Sequence, residues 1–194
     1  MMENKILFLI DCQNDFIDGG SLAVNDSIGK MEHLSKFIKE HKDEYSMILA
    51  SVDWHPFTHC SFKVNGGIWP VHCVQHSVGA AIFKPILDAI NETKLPFYAL
   101  TKGTNEDHEE YSVMKNYKSN KKIHSIINSV KPSRVDFCGL AGEYCVKNSM
   151  SDFHREFHDV KIGALIPFIG SIDGGKEFSN FLYRNDNIEQ ITDV

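Results

Sequence analysis

Three residues far apart in the chain have types that together could make an activated thiol nucleophile. Cys145 lies in Gly139-Leu140-Ala141-Gly142-Glu143-Tyr144-Cys145-Val146, where an apolar run gives way to a helical pattern. A helix start offers unpaired backbone N–H groups and the positive end of the dipole, which lower a thiol pKa and can hold an oxyanion. Asp11 and Lys102 each end an apolar run, where a charge needs a partner or a site. Asp11 is placed to take the thiol proton, and Lys102 to stabilise the thiolate and orient the carboxylate. A core cysteine and a structural Asp–Lys pair are the plain alternatives, and position alone does not separate them.

A second set suits a divalent metal. Asp53-Trp54-His55-Pro56 closes another apolar run, and His72 follows in a long irregular stretch. Asp53 and His55 are two apart at a strand end, so their side chains can face one way. One carboxylate and two imidazoles, with positions left for water, match zinc, iron or manganese. His59 is open as a fourth ligand or as a partner of metal-bound water. The pairs His59-Cys60 and His72-Cys73 allow a structural zinc, although adjacent residues rarely converge on one ion. Phe16, Trp69 and Tyr111 are candidates for walling a flat pocket, with simple core packing as the alternative.

Elements must bring these groups together. Ile6–Ile10, Met47–Val52, Phe97–Leu100, Val135–Cys138 and Val160–Phe168 are continuous apolar runs, and Ile188–Ile191 is a weaker sixth. Such runs suit strands buried on both faces of a parallel sheet. Between them, Ile28–His41, Gly79–Asn91, Ile123–Val130 and Glu143–Phe157 carry helical spacing. The alternation predicts an α/β fold, a three-layer α/β/α sandwich with a mostly parallel central sheet of about six strands. Ligands of such sheets sit beyond the carboxyl ends of the strands, where Asp11, Asp53, Lys102 and the Gly139–Cys145 segment fall. The stretch Pro56–Val78 is too irregular for an ordinary connection, which points to a functional excursion. One domain over residues 1–194 accommodates all of this.

Composition narrows the partners. The chain has 20 basic and 26 acidic residues, a net charge of −6 without histidine, and no clustered basic face, which argues against nucleic acid. No apolar stretch is long enough for a membrane helix. The opening Met1-Met2-Glu3-Asn4-Lys5 lacks an export pattern, and five cysteines form no even framework, so a reduced cytoplasmic protein is expected. Homo-oligomerisation is left open.

The residues resemble the isochorismatase-like cysteine hydrolases and, among them, the nicotinamidases. The matching segments run in order: Asp11-Cys-Gln-Asn-Asp-Phe-Ile-Asp-Gly-Gly-Ser-Leu-Ala-Val24; Asp53-Trp-His-Pro56 with His59-x-Ser-Phe62; Trp69-Pro-Val-His-Cys-Val-Gln75; Lys102-Gly103 with Tyr111-Ser112; and Gly139 to Val146. The resemblance implies a triad of Asp11, Lys102 and Cys145, an oxyanion site at the Ala141 and Cys145 amides, and a cis Leu140–Ala141 peptide. It implies one divalent metal on Asp53, His55 and His72, ring packing by Phe16, Trp69 and Tyr111, and nicotinamide as the small-molecule substrate. Another cysteine amidase acting on a ureido or carbamoyl compound, or a silent binding member, are the rival readings. Two departures stand out: Gly142-Glu143 replaces the usual Thr-Asp, and His76-Ser77 replaces the usual Gly-Thr.

Overall fold

The structure, a computed structural model, describes residues 4–194. The first three residues, on which part of the expectation about the opening segment falls, lie outside the described residues. Six strands form one sheet: β1 (Lys5–Ile10), β2 (Tyr45–Asp53), β3 (Phe97–Lys102), β4 (Arg134–Gly139), β5 (Lys161–Ile169) and β6 (Ile188–Ile191). Their order is β3-β2-β1-β4-β5-β6, and every pairing is parallel. Ile6 to Ile10 of β1 are each no more than 1% exposed, so both faces of the sheet are covered. That is the layered α/β architecture the continuous apolar runs predict.

The helices are α1 (Ser27–Glu40), α2 (Lys84–Thr93), α3 (Tyr117–Val130), α4 (Lys147–Glu156) and α5 (Lys176–Tyr183). Of the stripe expected on α1, Ile28, Met31, Leu34 and Ile38, the last three are buried, while Ile28 in the first turn is exposed; Phe37 packs against Phe168 of β5 with the rings tilted. Helix α4 sets Phe153 against Phe137 of β4. Asn120 and His124 of α3 reach Glu156 of α4, at 2.9 and 2.7 Å, tying those two helices together.

Two helical expectations change. The helix expected from Gly79 begins only at Lys84, with Pro85 in its first turn, where a missing N–H costs nothing. Before it, backbone groups of Gly79 and Ala81 bond instead to Asp15 and Asn14. The helix expected from Glu143 begins as a π-helical turn, Gly142–Val146, which passes into α4. The short helix α5 is an addition; Phe178 and Leu182, one turn apart, are its buried face.

In this strand order the direction of winding reverses between β1 and β4. Loops leaving neighbouring strands there diverge and open a crevice at the carboxyl edge. Asp11 follows β1 on that edge, and the turn bearing Cys145 follows β4. No dinucleotide-type glycine loop follows β1.

Candidate active site

Asp11, Lys102 and Cys145 meet at this crevice. Lys102 Nζ lies 2.9 Å from Asp11 Oδ2 and 3.5 Å from Cys145 Sγ. A carboxylate oxygen of Asp11, one of Asp53 and the Cys145 sulfur all lie within 4.8 Å of one another. Lys102 is 1% exposed and Asp11 is fully buried, although both side chains are formally charged. Burial raises the Asp11 carboxyl, and Lys102 draws it back. Burial also pushes the Cys145 thiol up, again opposed by Lys102. For Lys102, burial acts downward, but Asp11 and Asp53 together hold the ammonium well above its ordinary value. The cation is therefore fixed between the acids and within reach of the thiol, where it can lower the cost of a thiolate.

Asp53 is shared. Its Oδ1 makes a very short contact with Lys102 Nζ. Its Oδ2 faces His55 Nε2 at 3.5 Å and His72 Nε2 at 3.8 Å. One carboxylate thus joins the lysine–cysteine cluster to the two imidazoles, a link that its place at a strand end does not reveal.

The imidazoles are oriented by the backbone. His55 Nδ1 donates to the Gly103 carbonyl at 2.9 Å, and His72 Nδ1 donates to the Pro70 carbonyl at 2.8 Å. A carbonyl can only accept, so both rings carry their proton on Nδ1 and present the Nε2 lone pair toward Asp53. His55 Nε2 is buried with no hydrogen-bond partner. Two aimed lone pairs and a carboxylate, all within 4.8 Å, fit a divalent cation. Gly103 has φ +62°, and a side chain there would collide with the His55 ring, so this position requires glycine on both counts.

His59 is packed against this set with a different bonding pattern. Its ring centroid is 4.1 Å from that of His55. Nε2 donates to the His108 carbonyl at 3.1 Å, while Nδ1 sits 2.7 Å from Ser61 Oγ and 3.3 Å from the Ser61 N–H. Both nitrogens are used, which leaves no lone pair for an ion. Among the described residues, the two groups of converging ligand atoms are Asp53–His55–His72 and Asp11–Asp53–Cys145; neither Cys60 nor Cys73 joins one. The alternative zinc on His59-Cys60 and His72-Cys73 is therefore not assembled among the described residues.

Above this floor is a pocket of about 380 Å³, mouth included. Phe16, Trp69 and Tyr111 all line it, with Ala141 and Cys145 beside them. Trp69 Nε1 donates to the Tyr111 hydroxyl at 3.1 Å. Phe16 packs on the His72 ring with centroids 5.6 Å apart. The Leu140–Ala141 peptide is cis, and Ala141 is 7% exposed.

Several residues of the site carry no sequence signal strong enough to single them out. Tyr144 stands edge-on to Trp69, centroids 5.0 Å apart, and completes the aromatic wall. Leu22, Glu109 and Ile172 also line the pocket. Ser51 Oγ donates to Asp11 Oδ1 at 2.6 Å; its two-residue spacing from Asp53 on β2 puts both on one face, a usable clue. Gln13 accepts from the Asp53 N–H at 2.7 Å and donates to the Asp53 carbonyl at 2.8 Å, fixing that residue's backbone. Asp15 accepts from the Cys73 N–H at 2.6 Å and so anchors the loop that carries His72. His76, beside this loop in sequence, is exposed and lies against Trp54, outside the pocket.

A parallel doubly wound sheet with a cysteine, an acid and a lysine grouped at its reversal point has the form of an isochorismatase-like hydrolase. No family model matches the chain. The chain is 31% identical over 169 residues to the nicotinamidase of Escherichia coli strain K12, covering 78% of this chain and 76% of that protein. It superposes on a zinc complex of the pyrazinamidase of Pyrococcus horikoshii with a TM-score of 0.82 and 28% identity, over 98% and 99% of the two chains. A nicotinate complex of PnC1 from L. infantum gives 0.81 and 25% identity, over 99% and 94%. The chain belongs to the nicotinamidase family.

Proposed function

We propose that this chain hydrolyses nicotinamide to nicotinate and ammonia, with Cys145 as the nucleophile. The observation that carries the reading is the Lys102 ammonium held between Asp11 and the Cys145 sulfur beneath an aromatic pocket. Asp11 takes the thiol proton, and the thiolate attacks the carboxamide carbon. The Ala141 and Cys145 N–H groups receive the oxyanion, where one such donor is typically worth about 3–4 kcal/mol of barrier. The C–N bond breaks as Asp11 returns the proton to the leaving nitrogen, releasing ammonia and leaving a thioester. Water then adds to the thioester as Asp11 accepts its proton, and the carboxylate product leaves as the thiol is restored.

Asp53, His55 and His72 are the residues to hold a divalent cation. Zinc suits the donor set and is present in the P. horikoshii relative; iron and manganese suit it too. A cation bound there supplies an electrophilic contact for a ring nitrogen and so helps orient the amide. Phe16, Trp69, Tyr111 and Tyr144 enclose the ring. Five free cysteines, and the absence among the described residues of any helix able to cross a membrane, support a reducing cytoplasmic location.

The test is ammonia release by the metal-replete protein with nicotinamide, beside ureido and carbamoyl compounds, with and without chelator. Release from nicotinamide at a kcat/KM at least tenfold above the others is expected. Preference for a carbamoyl compound refutes the substrate, and no release from any refutes the enzyme.

A further inference from the structure

The turn before Cys145 differs from the usual pattern at two adjacent positions, and the structure connects both to one loop. The loop is Gly170–Gly175, between β5 and α5. Glu143 is 4% exposed, and its Oε1 accepts from two consecutive backbone N–H groups, Ile172 at 2.7 Å and Asp173 at 2.9 Å. Gly142 makes the approach possible. A Cβ there would stand 2.5 Å from Ser171 Oγ and 3.0 Å from Ile169 Cγ2, so a side chain would force at least the Ser171 hydroxyl to move. The Gly142 N–H also donates to the Gly170 carbonyl at 2.7 Å. The loop is thus pinned to the cysteine's own turn at both ends of the four-residue span Gly170–Asp173.

That span carries Ile172. Its side chain is 41% exposed, yet it lines the substrate pocket with Ala141, Tyr144 and Cys145. An exposed aliphatic residue at a pocket mouth has little intrinsic reason to stay in place. Two charge-assisted hydrogen bonds to its own and the next backbone N–H supply one. The other Glu143 oxygen, Oε2, is buried with no hydrogen-bond partner, so the latch uses a single oxygen.

We propose that Glu143, through its bonds to the Ile172 and Asp173 amides and the space left by Gly142, is a positioning residue that holds Ile172 as the size-limiting rim of the pocket. The proposal rests on the assignment of nicotinamide as substrate. The predicted consequence is selectivity against ring-substituted amides, because a fixed branched side chain excludes a methyl group that a mobile or smaller one admits.

The experiment measures kcat and KM for nicotinamide and a ring-methylated nicotinamide in wild type, Glu143→Ala, Glu143→Gln and Ile172→Ala. Ile172→Ala and Glu143→Ala are each expected to raise the methylated-to-unmethylated ratio of kcat/KM at least about tenfold. In Ile172→Ala the change resides mainly in KM, since Cys145 and its partners are untouched. Glu143→Gln loses the charge and the unpartnered oxygen but keeps a carbonyl oxygen to accept from both amides, so its ratio stays within about threefold of wild type. A purely structural Glu143 would lower stability and both substrates' rates together, with no change in ratio. An active wild type whose Ile172→Ala ratio is unchanged overturns the latch alone, and that variant serves even where Glu143→Ala fails to fold. Wild type inert toward nicotinamide overturns both the latch and the assigned substrate.

Discussion

The sheet buries charge at both of its edges, and the two clusters are built to opposite ends. At the amino edge, Arg134 Nε lies 2.7 Å from Asp136 Oδ1, and the Tyr45 hydroxyl donates to Asp136 Oδ2 at 2.9 Å. Arg134 also reaches out to Glu189, an exposed partner, at 3.2 Å. Gly163, beside Asp136 on β5, has no side chain because the Asp136 carboxylate occupies that space. Neither Arg134 nor Asp136 lines the pocket. At the carboxyl edge, two buried acids share one compact ammonium, and that ammonium also contacts a thiol beneath the pocket. The first cluster pairs its charges with one another and with Glu189, away from the pocket. The second lies beneath the pocket, with Asp53 and His72 on its lining and the Lys102 charge extending to the Cys145 sulfur. Buried atoms without a hydrogen-bond partner occur at both edges, Arg134 Nε and Asp136 Oδ1 at one and Asp11 Oδ2 and His55 Nε2 at the other. What separates the second cluster is the pocket above it and a thiol within reach of its ammonium, so burial of charge alone does not mark a site.

The two clusters should therefore fail in opposite ways. Cys145→Ala should cut turnover at least ~10⁴-fold while leaving thermal stability nearly unchanged. Retention of more than about one per cent of wild-type turnover would remove the nucleophile from the scheme. Asp136→Ala should do the reverse. Loss of the carboxylate leaves Arg134 and the Tyr45 hydroxyl without their partner, at a cost of about 3 kcal/mol in urea unfolding. Activity per folded molecule should stay within twofold of wild type, and a tenfold fall would break the division between the edges.

A smaller effect separates the two duties of Asp53. Both Asp53→Ala and His72→Ala should lower bound metal measured by elemental analysis. Excess zinc should restore activity at least tenfold better in His72→Ala, because only Asp53→Ala also strips Lys102 of a partner. Equal rescue would mean that the Asp53–Lys102 contact has no functional weight.

The smallest effect is in pH. Burial raises the Asp136 carboxyl above its ordinary value, with Arg134 and Tyr45 opposing. A carboxyl raised on folding contributes stability that is full below its unfolded value, about 4, and is lost as pH rises through the folded one. Asp136→Asn should therefore flatten the decline of unfolding free energy as pH rises above about 4. An unaltered slope would assign that decline to other carboxyls, Asp11 among them.

The strands were legible because a parallel sheet covered on both faces needs uninterrupted apolar runs, and β1 and β2 have them. The stripe of α1 was plain at Met31, Leu34 and Ile38, but spacing alone could not show that Ile28, in the first turn, stays exposed. The start of α2 was not, because the helical spacing of Ile82 and Ile86 continues across residues whose backbone is claimed by Asn14 and Asp15, distant in sequence. Helix α5 is eight residues with two buried side chains, too short for periodicity to stand out. Of the pocket, aromatic types at matching positions pointed to Phe16, Trp69 and Tyr111, but Leu22 and Ile172 are ordinary aliphatic residues whose role depends on what lies opposite them.

The sequence by itself determined which chemistry was present and which strand ends would carry it, since residue type fixes what a group can do and apolar runs fix where strands stop. Only the tertiary structure decided that Asp53 serves both Lys102 and the imidazoles, that His59 has no nitrogen to spare, and that Glu143 reaches the loop bearing Ile172. Those outcomes turn on angles and on separations of about a few tenths of an ångström between residues 29 to 49 apart in the chain, and hydrogen bonds discriminate at that scale while composition and spacing do not.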